Sequence, residues 1–312
     1  MRAIITDPSR PHGLGLGEVN DPLVLSGDVV VRVEAISLNQ GEVRFALDTA
    51  EPGWTPGWDF AGVVERAAES GGPVVGDRVV GFQTEGAWRE RIATPARNLA
   101  VLPDDVPLSV ASTLPVAGLT ALYALAEGGL LAGREVLING ASGGVGHMAV
   151  QLAAASGARV TAAVRRPNQV DGATDDGAHE VLVSEALAEL EEDQRFDLIL
   201  ESAGGAALGH ALNRLAAGGA CVSFGNSSRS PTTFDATPFF YPRGGSRLLG
   251  FYLLAVLERD APSIGLARLA RLVSEGVLRP RIAVEAPWTD IGDVVDRFMR
   301  REIGGKAVLH VA

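Results

Sequence analysis

The segment Gly140-Ala141-Ser142-Gly143-Gly144-Val145-Gly146 has the residue spacing with the most chemical content in this chain. Glycines at 140, 143 and 146 follow the apolar run 135–139 and lead into the helix-like stretch 147–158, in the order strand, tight turn, helix. Such a turn lets backbone N–H groups and the positive end of a helix starting near Gly144 hold a pyrophosphate. Ser142, Gly143, Gly144 and Val145 are therefore the candidate cradle. The competing reading is a bare strand–turn–helix corner.

Where a dinucleotide-binding domain that prefers NAD places a carboxylate, at the end of the second strand about 20 residues on, this sequence has Arg165 and Arg166. A carboxylate there would bond a ribose 2′-hydroxyl, whereas a guanidinium offers a 2′-phosphate bidentate, charge-assisted bonds. The expected cofactor is NADPH. The alternative is that both arginines are solvated loop residues. Phe224 and Gly225, followed by Asn226, come after another strand-like run and are candidates for backbone contact with the nicotinamide half.

These residues need a sheet to hold them. Strands are expected at 135–139, 159–164, 180–183, 197–201, 220–225 and 247–252, mostly with helices between, which is the order of a doubly wound parallel α/β sheet. Before this region, runs at 29–36, 62–65, 78–82 and 89–93 are separated by Gly, Pro and Asp and read as a compact antiparallel β domain. A helix is expected from 118 to 126, where the pattern changes. Beyond a helical segment at 264–275, the tail returns to β-like patterning with a short helix at 291–301 and a last strand at 307–311, and is expected to rejoin the first domain. No internal repeat or low-complexity tract stands out.

Composition excludes several classes. The 312 residues, 46% hydrophobic and 21% charged, suit a globular chain of two domains. A net charge of −11 with 27 scattered basic residues argues against nucleic acid or an anionic membrane surface as partner. Cys221 is the single cysteine, and the five histidines show no metal-ligand spacing, so a Cys-rich zinc lobe is excluded and a reducing cytosol is expected. No apolar run approaches the roughly 18 residues of a membrane span, and the N-terminus does not read as a signal peptide.

Taken in order, GWDFAGVV (57–64), VGDRVVGF (75–82), LPVAGLTALYAL (114–125), NGASGGVGHMAVQLA (139–153) and GGKAVL (304–309) resemble the medium-chain dehydrogenase/reductase superfamily, and within it the zinc-independent quinone oxidoreductase group. The resemblance implies a discontinuous GroES-like domain from residues 1–115 and 261–312, a Rossmann NADP-binding domain from 116–260, and a substrate cleft where they meet. Zinc-dependent members hold a catalytic metal with an early Cys and a His in a Gly-His-Glu motif. The matching positions here are Asn39 or Gln40 and Trp58, which cannot make a thiolate–imidazole site.

Without that Lewis acid, the expected chemistry is hydride transfer from NADPH to an acceptor that is already electrophilic, a quinone or an α,β-unsaturated carbonyl. Asn39 is the leading candidate for the polar group, because the resemblance places an Asn near the nicotinamide; the alternative is an Asn that satisfies the local turn. Ser37, Gln40, Arg44 and Tyr252 are further cleft candidates without an assigned role, and His147 is expected to pack or cap. Related enoyl reductases often use a Tyr after this Asn, and residues 42–54 contain none. An enoyl-thioester reductase and a catalytically silent, NADPH-sensing binding protein remain the alternatives. A homodimer is expected from the apolar edge strand at 247–254, the alternative being its burial under the following helix. The loops 44–56 and 232–245 show no specificity code.

Overall fold

The computed structural model describes residues 1–10, 12–241 and 244–311. The chain forms two compact units, Met1–Leu119 with Leu254–Ala312, and Thr120–Leu253. The expected boundaries at 115/116 and 260/261 differ from these for local reasons. The Val116 N–H is bonded to Asp59, and the carbonyl of Leu257, in the helix Leu253–Arg259, accepts from Arg97, so both segments are tied into the first unit.

The first segment contributes β1 (Arg2–Thr6), β2 (Leu14–Glu18), β3 (Asp28–Ser37), β4 (Asp59–Arg66), β5 (Arg78–Phe82), β6 (Arg91–Pro95) and β7 (Leu99–Val101). The β-branched run Val29–Val30–Val31 places β3 at the centre, paired antiparallel with both β4 and β6. The β1–β2 pair was not anticipated from the sequence. Neither was the helix Gln40–Asp48, although Asn39 followed three residues later by Glu42 is the pattern of a helix start.

The second unit contains β8 (Glu135–Asn139), β9 (Arg159–Val164), β10 (Glu180–Val183), β11 (Phe196–Glu201), β12 (Leu215–Ser223) and β13 (Arg247–Gly250). All pair in parallel, in the order β10-β9-β8-β11-β12-β13. This is the α/β Rossmann order, with a topological switch between β8 and β11, outside whose carboxyl ends ligands bind. The apolar residues of β8 and β9 are buried, as expected for strands covered on both faces. β13 stops at Gly250, two residues earlier than expected, because the chain enters the helix Leu253–Arg259.

The tail returns through β14 (Ile282–Pro287) and β15 (Lys306–His310), and β15 pairs antiparallel with β3. Trp288, Ile291 and Leu309 from the tail share one core with Phe60, Trp88 and Ile36 from the first segment. This unit is a β domain built from both ends of the chain. No helix among the described residues is long and apolar enough to cross a membrane.

Candidate functional site

The glycine-rich turn is held by the sheet on both sides. Asn139, the last residue of β8, pairs with Ala163, and the N–H of Ala141 donates to the Ala163 carbonyl at 3.0 Å. Gly140 takes φ +75°, a conformation open to glycine. The helix begins at Gly146, two residues later than expected. A Cβ on Gly146 would stand 2.2 Å from the Gly140 carbonyl oxygen and 2.7 Å from Ala141 Cα, so only glycine allows the helix to start this close to the strand end. Ser142, Gly143, Gly144 and Val145 lie between, half-exposed. His147 is buried and its Nδ1 sits 2.8 Å from the Gly143 carbonyl oxygen, which makes it a brace of the turn.

The neighbouring strand ends bring the other candidates to the same edge. Arg165 and Arg166 leave β9 with exposed side chains, and both backbone N–H groups donate to Gln169 Oε1 at 3.2 Å. Phe224 N–H donates to the Glu201 carbonyl, and a Cβ on Gly225 would approach the Ser202 carbonyl oxygen to 2.9 Å, so Phe224 and Gly225 run close against the end of β11. One residue that sequence reasoning missed ties this edge together. Glu201, fully buried, accepts from Asn139 Nδ2 (2.8 Å) and from the N–H groups of Ala203 (2.7 Å) and Gly204 (2.9 Å). Burial first, and then the Glu201 charge, push the Cys221 thiol up, so that cysteine is inert.

The first unit contains a buried polar cluster. Asp59 Oδ2 accepts from Ser37 Oγ (2.8 Å), Asn39 Nδ2 (2.8 Å) and Lys306 Nζ (3.3 Å), and its Oδ1 accepts from Val116 N–H (2.9 Å). Glu42 accepts from both nitrogens of Asn39 and, through Oε2, from Trp58 N–H at 2.6 Å. Lys306 Nζ also donates to the Leu38 carbonyl (3.0 Å) and Asn39 Oδ1 (2.6 Å). The two hydrogens of the Asn39 amide are therefore both given to carboxylates, leaving none for an acceptor oxygen. Asn39 thus links Glu42, Asp59 and Lys306 within the cluster. Asp59, Glu42 and Lys306 were missed as a set, yet the sequence held a signal, since Lys306 is the single lysine of the chain.

Burial and the Asp59 charge push the Glu42 carboxyl well above the usual carboxylate range, against the opposing pull of Lys306 and the Asn39 hydrogen bonds. A raised folded pKa contributes stability that is present below the unfolded carboxyl pKa and lost as pH rises through the folded value. Glu42→Gln removes this titration. The variant is expected to show a flatter dependence of urea midpoint on pH than wild type between acidic and mildly basic buffers; parallel profiles would refute the linkage.

The cluster also tests the metal that zinc-dependent relatives hold. Its donors are an amide and two carboxylates already bonded to N–H groups, an indole stands at Trp58, and the Lys306 ammonium supplies the compensating positive charge. A divalent cation does not fit this arrangement. Among the described residues no three His, Cys, Asp or Glu side chains are grouped to hold one. Of the secondary candidates, Ser37 belongs to the cluster, Gln40 and Arg44 lie half-buried on the helix Gln40–Asp48, and Tyr252 is exposed just beyond β13.

Comparison with known proteins agrees with both units. Residues 25–104 match the alcohol dehydrogenase GroES-like domain and residues 144–264 the zinc-binding dehydrogenase domain. The chain is 31% identical over 91% of its length to the mycocerosic acid synthase-like polyketide synthase of Mycobacterium tuberculosis, spanning 14% of that protein. It is 26% identical to the human mitochondrial enoyl-[acyl-carrier-protein] reductase, covering 97% of this chain and 89% of the relative. A mycobacterial quinone oxidoreductase structure superposes with a TM-score of 0.87 at 26% identity, each chain covered over 100% of its length. From the two domain matches in chain order and the end-to-end superposition, the chain belongs to the medium-chain dehydrogenase/reductase superfamily, in its quinone oxidoreductase-like group.

Proposed function

We propose that this chain is an NADPH-dependent oxidoreductase that reduces a quinone or an α,β-unsaturated carbonyl without a metal ion. The observation that carries this reading is the single edge of the parallel sheet shared by the Gly140–Gly146 turn, the Arg165–Arg166 pair at the end of β9, and Phe224–Gly225 beyond β12. Ser142, Gly143, Gly144 and Val145 would hold the pyrophosphate, Arg165 and Arg166 a 2′-phosphate, and Phe224 and Gly225 would border the nicotinamide. When bound, that cofactor supplies a hydride; solvent supplies the proton that completes reduction of the acceptor. The protein's own part is to hold the dinucleotide and orient the acceptor, so the acceptor must bring its own electrophilicity.

A second reading, an enoyl-thioester reductase, is favoured by the polyketide synthase and enoyl-[acyl-carrier-protein] reductase relatives. One experiment separates the readings: loss of NADPH absorbance with a panel of quinones, simple enones, enoyl thioesters and, in the reverse direction, simple alcohols. Turnover confined to quinones and enones is expected. Preference for thioesters would favour the second reading, and tight NADPH binding with no turnover would indicate a dinucleotide-sensing protein.

The small-molecule acceptor is the proposed partner, in a cytosolic setting that suits the single buried Cys221. A homodimer is also proposed, because β13 is the sheet's last strand and exposes Leu248, with Tyr252 exposed beside it. Light scattering at micromolar concentration is expected to report twice the chain mass, and a monomeric mass would refute the dimer.

A further inference from the structure

We propose that Trp58, Phe45 and Trp54 form an aromatic wall that selects flat, electron-poor conjugated carbonyl compounds, and that this wall sets acceptor preference; the inference rests on the reductase reading above. The chain has four tryptophans. Trp88 and Trp288 are fully buried in the core of the first unit, whereas Trp54 and Trp58 keep part of their rings exposed. Both partly exposed indoles lie against one face of the helix Gln40–Asp48.

The arrangement follows from helix spacing. Gly41 and Phe45 are four residues apart and so share a face. The ring of Trp58 lies over Gly41, where a Cβ would come within 2.8 Å of Cη2 and 3.1 Å of Cζ3. One turn further on, Phe45 is 47% exposed and meets Trp54 edge-to-face, with centroids 5.1 Å apart and planes at 70°. Trp58 over Gly41 and the Phe45–Trp54 pair one turn on thus lie along the same helix face.

This surface is held rigidly. Trp58 N–H is bonded to Glu42 Oε2 at 2.6 Å, and its carbonyl accepts from Gln83 N–H at 2.9 Å. The Thr6 N–H donates to the Trp54 carbonyl at 2.9 Å, the Trp54 N–H donates to Thr6 Oγ1 at 3.0 Å, and the Trp54 indole N–H donates to Glu85 Oε2 at 3.3 Å. Gln83 follows Phe82, which pairs with Asp59, so Gln83 lies opposite Trp58 across β4 and β5. Its buried Oε1 has no hydrogen-bond partner among the described residues, an acceptor atom open to a donor from a ligand. Of the proposed acceptors, a quinone gains such a donor on reduction, as the hydroxyl of the hydroquinone. An indole face is electron-rich, so among acceptors it favours the electron-poor plane of a quinone or aryl enone over a flexible acyl chain.

The test compares 1,4-naphthoquinone with methyl vinyl ketone as acceptors in wild type, Trp58→Leu and Gly41→Ala. The first variant removes the ring; the second keeps it but forces it off the helix. In both, the ratio of kcat/KM for naphthoquinone over methyl vinyl ketone is expected to fall about 10-fold. Unchanged ratios in both variants, with wild-type circular dichroism, would overturn the proposal. A binding measurement keeps this separate from the parent reading. Quenching of tryptophan emission by naphthoquinone, without dinucleotide, is expected to saturate in wild type and to shift about 10-fold to higher concentration in Trp58→Leu. If wild type turns over no acceptor, the reductase reading fails and the quenching still decides the wall. Linear, non-saturating quenching in wild type would sink it.

Discussion

Replacing Lys306 with methionine is expected to destabilise the chain by about 3 to 5 kcal/mol, the usual cost of removing one partner from a buried ion cluster. Lys306 is only 2% exposed and faces Asp59, itself fully buried. Its ammonium has three donors and meets three acceptors: the Leu38 carbonyl, Asn39 Oδ1 and Asp59 Oδ2. Methionine matches its length and apolar stem but leaves Asp59 uncompensated, and it also removes the group that opposes the upward shift of Glu42. Arginine is no substitute, since a planar fork is too large for a site filled by a compact ammonium. Urea unfolding followed by tryptophan emission reads the loss. Adding Asp59→Asn to Lys306→Met should recover part of it, because the two charges are coupled. A methionine variant within about 1 kcal/mol of wild type would show that the cluster is not the fastening of this unit.

The second large effect is expected at the cofactor. In the double variant Arg165→Ala, Arg166→Ala, NADPH affinity should fall on the order of 100-fold while NADH affinity changes little, from about 1.5 to 3 kcal/mol per charge-assisted contact. The geometry behind this is local. Ala163 on β9 lies beside Asn139 on β8 and receives the N–H of Ala141 within the glycine-rich turn, so two residues later Arg165 leaves the sheet one strand away from that turn. Gln169 Oε1 holds the backbone N–H groups of both arginines, which fixes where their side chains start. Titration of both dinucleotides into wild type and variant is the measurement. Equal affinity of the wild type for NADH and NADPH would remove the basis of the NADPH proposal.

Much of the second unit was legible in the sequence because its signals are local. Glu135–Asn139, Arg159–Val164 and Glu180–Val183 have the expected ends, since each is a short apolar run bounded by turn residues. The glycines at 140 and 146 were readable for the same reason: a tight turn and a close helix start have few solutions other than glycine. The first unit was less legible. β1 and β2 are stabilised by each other and by contacts far along the chain, and the helix Gln40–Asp48 has only a weakly apolar pattern.

What the sequence determined by itself, then, is the glycine-rich turn, the parallel sheet that carries it and the arginines at its edge, with no thiolate or imidazole at the positions that the resemblance matches to zinc ligands. Tertiary structure alone decided what Asn39 bonds to and what surrounds Trp58. Asn39 could donate to a ligand until Asp59, 20 residues away, and Glu42 took both of its amide hydrogens. Lys306, 267 residues from Asn39, then closed the cluster around its oxygen. Trp58 lies over the helix Gln40–Asp48 only because Gly41 has no side chain to keep the indole away. Hydrogen-bond capacity and ring contact depend on which atoms come within about 3 to 4 Å, and residues so far apart in the chain meet at that distance only through the fold.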